Sequence, residues 1–435
     1  MSDQLAIFGG KKTVTETAPV WPRFSDEDID AATWALNEAR TKRDFISASF
    51  GGEGLEAFEG DFAKFLGAEH VVSVNSGCAA IHVALMAAGV KGGDEVIVSP
   101  YTWGQTVSPI LQANAIPVFA DIEPDTFNLD PASIEANVTP HTKAIVVVHL
   151  FGGPARMDAI MEVAERHNLM VIEDCAQADG ASYKGKRVGS WGHLGAFSIG
   201  NGKNLAAGDG GMVTTNDKWL WEMALLFGHH PSRQGRQLED PELREYIDSC
   251  CYTYRMHPIS SVIARSQLKH LDEWNAERRR NADYLSEKLS EIPGVAPPDV
   301  AEGGEHVYHM YPMTYEPEEM DGLSREVYVK ALAEEGVGVS AYVKEPIYLR
   351  RRYQEREYFS GNGLPWSLGK REVTYAAGDC PVAERRCAEQ EMNLGSTAWY
   401  EDCTELMDQI ATAFRKVAEN VGTLKEREGE LSQEN

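Results

Sequence analysis

Between residues 70 and 215, short apolar runs rich in β-branched residues alternate with longer segments whose apolar positions recur at helical spacing. Such runs, separated by helices, predict βαβ units and a largely parallel sheet that is buried on both faces. Ligands of such a sheet bind beyond the carboxyl ends of its strands, so the residues that follow the runs are the first candidates for chemistry. The runs are HVVSV (70–74), EVIVS (95–99), IPVFA (116–120), AIVVVH (144–149) and LMVIE (169–173).

The pattern changes after about residue 257. Residues 260–292 carry apolar side chains at helical spacing and predict one long helix that leads into a second domain. Residues 298–400 combine the strand-like VYHMYPMTY with the helical REVYVKALAEEG, which predicts a smaller α+β domain, and the final KEREGELSQEN predicts a frayed tail. We therefore expect a large domain (1–257), a long helix with a small domain (258–420) and a flexible tail (421–435).

Composition narrows the possible partners. The 435 residues include 67 acidic and 41 basic ones, and the formal charge of −26 repels nucleic acid and anionic lipid. No segment approaches the roughly 20 continuous apolar residues of a membrane span, and the first residues lack the apolar core of a secretory signal. The sequence therefore predicts a cytoplasmic protein that binds neither nucleic acid nor membrane.

Cysteine and histidine give no sign of a metal site. The seven cysteines include no Cys-x-x-Cys pair, and their odd number argues against a disulfide framework. The twelve histidines include no His-Glu-x-x-His pattern. We expect reduced thiols and no catalytic metal.

The first candidate site is the turn Ser76-Gly77-Cys78, which follows the first strand and opens an apolar helix. A helix N-terminus presents unpaired N–H groups and the positive end of a dipole, so this turn suits an anion such as phosphate. Taken alone, the turn is better explained as a capped junction between strand and helix.

The second candidate is Asp174, which directly follows a buried strand and should project at the ligand edge of the sheet. A carboxylate there needs a cationic partner, and a protonated pyridine nitrogen is one candidate. An acidic residue at a strand end is also a common helix cap, so this alternative stays open.

The third candidate is the glycine-rich stretch GAFSIGNGKNLAAGDGG, which contains Ser198 and Lys203. A lysine in a partly dry pocket has a lowered pKa and can attack an aldehyde. A Walker loop is excluded because Gly202-Lys203 is followed by Asn204 and because Phe197 stands where the first glycine should be. No Gly-x-Gly-x-x-Gly turn follows the first strand, which argues against a dinucleotide site.

These clusters occur in an order typical of a pyridoxal phosphate (PLP) site. Trp103, in the loop SPYTWGQT, can stack on a flat heteroaromatic ring, although a core aromatic is an equally good explanation of that residue alone. An anion turn, a ring platform, a partner for the ring nitrogen and a Schiff-base lysine together form a complete site. The sequence thus predicts PLP as cofactor.

The chain also resembles the DegT-type sugar and aminocyclitol aminotransferases. The Asn-Gly-Lys form of the lysine motif and the segment Cys-Pro-Val-Ala-Glu at 380–384 resemble the scyllo-inosose aminotransferase and 3-amino-5-hydroxybenzoate synthase branch. The family implies an α/β fold of PLP fold type I, with a mostly parallel seven-stranded sheet flanked by helices and a smaller α+β C-terminal domain. The resemblance is carried by GLEAFEGDFAKFLGAEHVVSVNSG, GDEVIVSPYTW, DIEPDTFNLDP, TKAIVVVHLFG, VIEDCAQADGASYKGKRVGSWG, AFSIGNGKNLAAGDGG and CPVAERRCAEQEM.

The resemblance assigns roles to most of the candidates. Lys203 would form the Schiff base and act as acid and base, Asp174 would pair with the ring nitrogen, and Gln177 would lie near the phenolic oxygen of the cofactor. Trp103 would stack on the ring. The phosphate would be held by Ser76, Gly77, Cys78 and Ser198.

Two positions depart from the family pattern. Cys78 replaces the usual threonine and loses a hydroxyl donor, although the backbone donors remain. Thr253 stands where the family has an asparagine that reaches the phosphate of the neighbouring subunit, and its side chain is shorter. The resemblance also implies a homodimer with active sites shared across the interface.

The expected activity is transfer of an amino group from L-glutamine or L-glutamate to a keto-sugar or keto-cyclitol. Two alternatives stay open: a PLP-dependent dehydratase or aromatising synthase of the 3-amino-5-hydroxybenzoate type, which analysis of the products would separate, and a non-catalytic PLP-binding regulator. The acceptor is not specified by the sequence. Lys344, Tyr342, Tyr348 and the run 350–352 of three arginines are candidates to face it, although a charge run is usually a solvated surface.

Overall fold

The computed structural model describes residues 4–42, 45, 47–356 and 362–432. The described residues form three sheets: a seven-stranded sheet before residue 216, a four-stranded antiparallel sheet after residue 294, and a small three-stranded sheet that joins residues 182–187 to 304–305. The strands are β1 (His70–Val74), β2 (Glu95–Val98), β3 (Ile116–Phe119), β4 (Thr142–Val148), β5 (Met170–Asp174), β6 (Ser182–Tyr183), β7 (Lys186–Arg187), β8 (Leu194–Ser198), β9 (Gly211–Thr215), β10 (Val295–Ala296), β11 (Gly304–Glu305), β12 (Met310–Tyr315), β13 (Val339–Ser340) and β14 (Glu391–Gly395).

Helices flank the two larger sheets. Among the residues that the structure describes, no helix has both the length and the apolar character needed to cross a membrane. The α-helices are α1 (Asp26–Glu38), α2 (Glu53–Leu66), α3 (Gly77–Ala87), α4 (Gly104–Gln112), α5 (Pro131–Asn137), α6 (Met157–His167), α7 (Lys218–Gly228), α8 (Pro231–Gln237), α9 (Pro241–Arg244), α10 (Pro258–Leu268), α11 (Leu271–Leu289), α12 (Arg325–Glu335), α13 (Arg351–Glu355), α14 (Pro381–Arg385), α15 (Thr404–Glu419), α16 (Val421–Glu426) and α17 (Glu428–Leu431).

The seven-stranded sheet has the order β1-β9-β8-β5-β4-β2-β3. Its pairs are parallel from β3 through β8, and β9 runs antiparallel to both of its neighbours, β8 and β1. Nearly every residue of these strands is buried, as expected for β-branched runs covered by helices on both faces. The mostly parallel α/β sheet predicted from the sequence is confirmed, and six of its strands end at the same edge.

The four-stranded sheet, in the order β10-β12-β14-β13, packs with α11, α12 and α15 around a second apolar core. The first residues of the chain belong to this core, because Leu5 and Val14 are buried in it. Glu335 anchors the same segment by accepting hydrogen bonds from the Ala6 amide at 2.7 Å and the Thr13 hydroxyl at 2.6 Å. The N-terminal segment thus packs on the second sheet, although the sequence assigned it to the first domain.

Two sequence predictions about helices are wrong. The single long helix predicted over 260–292 is two helices, α10 and α11, because the chain breaks at Lys269 and His270. The tail predicted to fray from residue 421 forms α16 and α17 over the described residues, and Val421, Leu424 and Leu431 are buried in the second core. The prediction failed because the tail is mostly polar, and its three buried apolar residues are too few to show a helical pattern. Residues 433–435 lie outside the described part of the chain.

Candidate active site

A cavity of about 530 Å³ opens at the carboxyl edge of the seven-stranded sheet, where the four-stranded sheet faces it. The first sheet supplies residues that follow β1, β2, β5 and β8, together with Val148 at the end of β4. The second sheet supplies residues of β12, β13 and β14 and the loop after β13. The lining residues are Ser76, Gly77, Cys78, Ile81, Trp103, Gln105, Thr106, Val148, Asp174, Ala176, Gln177, Ser198, Lys203, His309, Met310, Ser340, Ala341, Tyr342 and Asn393.

The structure brings eight of the nine sequence candidates into this cavity. Thr253 is the exception, because it is exposed and is absent from the cavity lining of its own chain. Its φ of +52° lies in the left-handed region, which a β-branched residue rarely adopts and which asparagine tolerates better. The conformation at 253 thus suits the asparagine that the family has there.

The turn after β1 caps a helix and also lines the cavity. Ser76 caps α3 by accepting a hydrogen bond from the Ala79 amide at 3.1 Å. Gly77 faces Ser198, because a Cβ at this glycine would lie 2.7 Å from the Ser198 Cβ. Only a glycine allows the first turn of α3 to approach the end of β8 this closely. Cys78 is half-buried, and burial raises the pKa of its thiol.

Asp174 ends β5 and is buried at the floor of the cavity. Its carboxylate accepts a hydrogen bond from the Thr106 hydroxyl at 2.8 Å and one from the Ala176 amide at 3.1 Å. Burial raises the pKa of Asp174, while both hydrogen bonds and the charge of Lys203 oppose the shift. A carboxylate with two neutral donors and a buried position has room for a cation on its cavity side.

Lys203 lies in the loop between β8 and β9, and its backbone is held on both sides. The Lys203 amide donates to the Gly200 carbonyl at 2.9 Å, and the Trp21 indole donates to the Lys203 carbonyl at 3.0 Å. Burial lowers the pKa of the Lys203 amine, and the carboxylates of Asp174 and Asp179 oppose that shift. A fixed lysine with a lowered pKa is a better nucleophile near neutral pH than a free one.

Two further predicted residues line the cavity, one exposed (Trp103) and one buried (Gln177). Trp103 is 56% exposed, so the alternative interpretation of it as a core aromatic is wrong. Gln177 is buried and bridges the two sheets: its amide oxygen accepts from the Phe151 amide at 2.7 Å, and its amide nitrogen donates to the Tyr342 hydroxyl at 2.7 Å. Trp103 and Tyr342 are themselves neighbours, with ring centroids 6.2 Å apart.

Sequence reasoning missed several residues of the site. Thr106 follows Trp103 on α4 and reaches Asp174, a contact with no signature in the letters. Asp179 is buried beside the lysine loop, accepts from the Leu205 amide at 3.3 Å, and has its pKa raised by burial to about 8. Tyr342 was noted only as a residue of a lobe that faces the substrate. Its position depends on Glu391, whose carboxylate accepts from the Tyr342 amide at 2.7 Å.

Comparisons with known proteins agree with this geometry. The chain is 36% identical over 440 residues to an L-glutamine:2-deoxy-scyllo-inosose aminotransferase of Streptoalloteichus tenebrarius, covering 98% of this chain and 100% of that protein. It is 43% identical over 262 residues to a GDP-perosamine synthase of Caulobacter vibrioides, covering 60% of this chain and 68% of that protein.

Solved structures give the same result. An aminotransferase from Psychrobacter cryohalolentis superposes with a TM-score of 0.80 and 29% identity over 93% of this chain and 100% of that one. A 3-amino-5-hydroxybenzoic acid synthase superposes with a TM-score of 0.77 and 27% identity, over 95% and 100% of the two chains. The DegT/DnrJ/EryC1/StrS aminotransferase family matches residues 27–369, and this chain, a PLP-type aminotransferase in its fold and sequence, belongs to that family.

Proposed function

We propose that this aminotransferase moves an amino group from L-glutamine or L-glutamate to a ketone carbon of a cyclitol or sugar, with PLP bound in the 530 Å³ cavity. The observation that carries the proposal is the convergence of Lys203, Asp174 and the N-terminus of α3 on that one cavity. The relative from S. tenebrarius, aligned over nearly the whole of both chains, supports a cyclitol acceptor and a glutamine donor.

The cavity residues fit PLP as a group. The amides of Gly77 and Cys78 with the hydroxyls of Ser76 and Ser198 would hold the phosphate, and the lack of a side chain at Gly77 lets Ser198 lie against this turn. Asp174, buried and with acceptor capacity to spare, would hold the protonated ring nitrogen.

The ring and its substituents have further partners in the cavity. Trp103 would cover one face of the ring, and Gln177 would lie by the phenolic oxygen, with its orientation set by the hydrogen bond to Tyr342. When bound, this cofactor supplies an electron sink for the charge that develops at the donor carbon.

Lys203 performs the proton transfer in this proposal. Its burial favours the neutral amine, which can accept a proton from the donor carbon and return it to the cofactor side. The second half-reaction runs the same transfers in reverse with the ketone as acceptor. With the cofactor bound, Asp174 would keep its negative charge, because a protonated ring nitrogen would offset the burial that raises the pKa of this carboxyl.

The first test is the visible absorbance of the purified protein with PLP before and after L-glutamine or L-glutamate is added. We expect a band of lysine-bound cofactor that either donor shifts to shorter wavelength, and we expect Lys203→Ala to lose both the band and all turnover. Lys218→Ala, which removes an exposed lysine paired with Glu239, is the matched control and should behave like the natural chain. Turnover retained in Lys203→Ala would contradict the proposal, and a product that has lost water would favour a dehydratase.

We also propose that the protein acts as a homodimer with Thr253 directed to the partner's site. The support is Thr253's exposed position next to Tyr252, which is 54% exposed and stacks on Tyr254 at 5.4 Å. Tyr254 in turn hydrogen-bonds His82 of α3 at 3.1 Å, which places this segment against the helix of the anion site. Light scattering of the PLP-bound protein should give twice the mass of one chain, and a single-chain mass would contradict the dimer.

A further inference from the structure

The three consecutive arginines at 350–352 do not share one environment. Arg351 is a surface residue: its side chain is 86% exposed, and it forms an ion pair with Glu355 at 2.8 Å one helical turn away. Arg350 precedes α13 and is half-buried. Arg350 is therefore not part of a fully solvated surface, whereas Arg351 is.

Arg350 points at the rim of the active-site cavity. Its Nη1 atom lies 3.4 Å from the position that a Cβ would take on Gly104. Gly104 stands between Trp103 and Gln105, and both of these residues line the cavity. The guanidinium is thus next to a segment that lines the same cavity as Lys203.

The backbone that carries Arg350 is fixed to the large sheet. The Ile347 amide donates to the Pro100 carbonyl at 3.0 Å, just after the end of β2. Tyr348 and Tyr353, on either side of Arg350, are both buried in the first core, and the Tyr353 amide donates to the Arg350 carbonyl at 2.9 Å. A binding group on such an anchored segment loses little freedom when it meets its ligand.

The Arg350 guanidinium has no hydrogen bond or ion pair to any residue in the described part of the chain. A nearby arginine, Arg325, differs: its guanidinium donates to the carbonyls of Cys387 and Glu391, both at 2.9 Å. A guanidinium has five donors, and because none of those of Arg350 is used by the described residues, all are available to an anion. In a chain of formal charge −26, this cation is also a local exception that attracts anions.

We propose that Arg350 binds an anionic group of a substrate, a carboxylate or a phosphate, at the rim of the cavity. This inference rests on the proposed function, because it assigns a specificity residue to that site. The planar fork of a guanidinium matches both anions in two parallel hydrogen bonds, and lysine does not. The anion has two possible sources: the carboxylate of the amino donor or a phosphate on the acceptor.

The test measures binding of two unreactive probes to the PLP-loaded protein by calorimetry. Glutarate, a dicarboxylate without an amino group, reports on the donor source, and inorganic phosphate reports on a phosphorylated acceptor. We compare the natural chain, Arg350→Gln, Arg350→Lys and the matched control Arg351→Gln, which removes the same charge one residue away.

We expect Arg350→Gln to weaken binding of one probe by roughly 10-fold or more, the loss expected for a charge-assisted pair, while Arg351→Gln changes binding less than 2-fold. Arg350→Lys should recover part of the affinity. If glutarate is the affected probe, the KM for L-glutamine should rise in Arg350→Gln with little change in kcat.

Equal affinities of Arg350→Gln and Arg351→Gln for both probes, including no binding to any variant, would overturn the role of Arg350. The proposed function is tested separately, by the change in visible absorbance when an amino donor is added to the natural chain.

Discussion

Two neighbouring carboxylates at the end of β5 face opposite sides of the large sheet and have very different surroundings. Glu173 accepts four hydrogen bonds, from the His149 ring at 2.9 Å and from the amides of Gly189, Trp191 and Gly192 at 2.7–2.8 Å. Asp174 accepts two, and both come from neutral donors. Both side chains are buried, so exposure does not distinguish them.

The difference separates a carboxylate whose acceptor capacity is used within the protein from one that has capacity to spare. Glu173 ties together the end of β4, through His149, and the loop before β8, and its acceptor capacity is used within the protein. The His149 ring is also fully engaged, because its Nδ1 accepts from the Ala155 amide at 3.1 Å. Asp174 keeps capacity on the cavity side. The number of hydrogen bonds that a buried carboxylate accepts from the protein therefore predicts which of two adjacent acids is able to bind a ligand.

The largest expected effect is on turnover in Asp174→Asn. The variant removes the charge that would hold the protonated ring nitrogen, so kcat should fall on the order of 10²–10³-fold, as when one preorganised electrostatic partner is lost. Because burial raises the pKa of Asp174 when alone, its ionised form costs stability above the usual carboxyl range. The cofactor-free variant should therefore melt at the same or a higher temperature. A lower melting temperature with unchanged kcat would reverse the comparison.

Glu173→Gln should show the opposite pattern. A glutamine amide nitrogen would face backbone N–H donors, and leaving such buried groups unpaired costs about 3 kcal/mol in the free energy of unfolding. Denaturant unfolding of the cofactor-free protein measures this loss, with Asp174→Asn as its control. The kcat per folded, PLP-loaded molecule should stay within a few-fold of the natural chain, and a selective loss of kcat would assign Glu173 a role in the chemistry.

Thr106→Val removes one of the two hydrogen bonds that Asp174 accepts and leaves the one from the Ala176 amide. We expect kcat/KM to fall roughly 2-fold to 10-fold, because one neutral hydrogen bond contributes about 0.5–1.5 kcal/mol. Thr102→Val is the matched control, since among the described residues the Thr102 hydroxyl bonds only to the Thr106 hydroxyl, at 3.0 Å. Equal losses in both variants would show that the hydroxyl pair, not its contact with Asp174, matters.

The smallest expected effect is on stability, at a carboxylate near the surface that already has hydrogen-bond partners in the protein. Glu428 accepts from the Ser324 amide at 2.8 Å and from Lys425 at 2.7 Å, and these bonds lower its pKa to about 2. Its contribution to stability is present above pH 4 to 5 and is lost as the pH falls toward 2.

Glu428→Gln should therefore cost less than about 1 kcal/mol at pH 7, because solvent screens the pair. The difference between variant and natural chain in melting temperature should vanish near pH 2. A difference that persists there would mean that packing of α17, not charge, is responsible.

The sequence was informative where function depends on positions next to strand ends. The sequence predicted Asp174 and the turn at Gly77 from their places after strands, and Lys203 from its glycine-rich stretch. The structure places all three in one cavity lining. Glu173 was visible only as a strand residue, since its role depends on amides in a loop whose course the letters do not specify.

The wrong predictions also concern features that depend on contacts between residues distant in the sequence. The tail reads as polar, and only the second core shows that three of its side chains are covered. The break between α10 and α11 interrupts an apolar pattern that continues across it. Arg350 could not be separated from Arg351 by sequence, because the two differ in the direction of the side chain rather than in type or spacing.

The docking of the first residues onto the second core has a consequence for synthesis on the ribosome. Leu5 and Val14 emerge early, but their partners in that core include Tyr311, Val337 and Leu424, which are made last. At about 5–20 residues per second, the apolar N-terminal segment waits for tens of seconds without its cover while the large sheet completes. During translation, Leu5 and Val14 therefore remain without the cover of this core until its last helices are made.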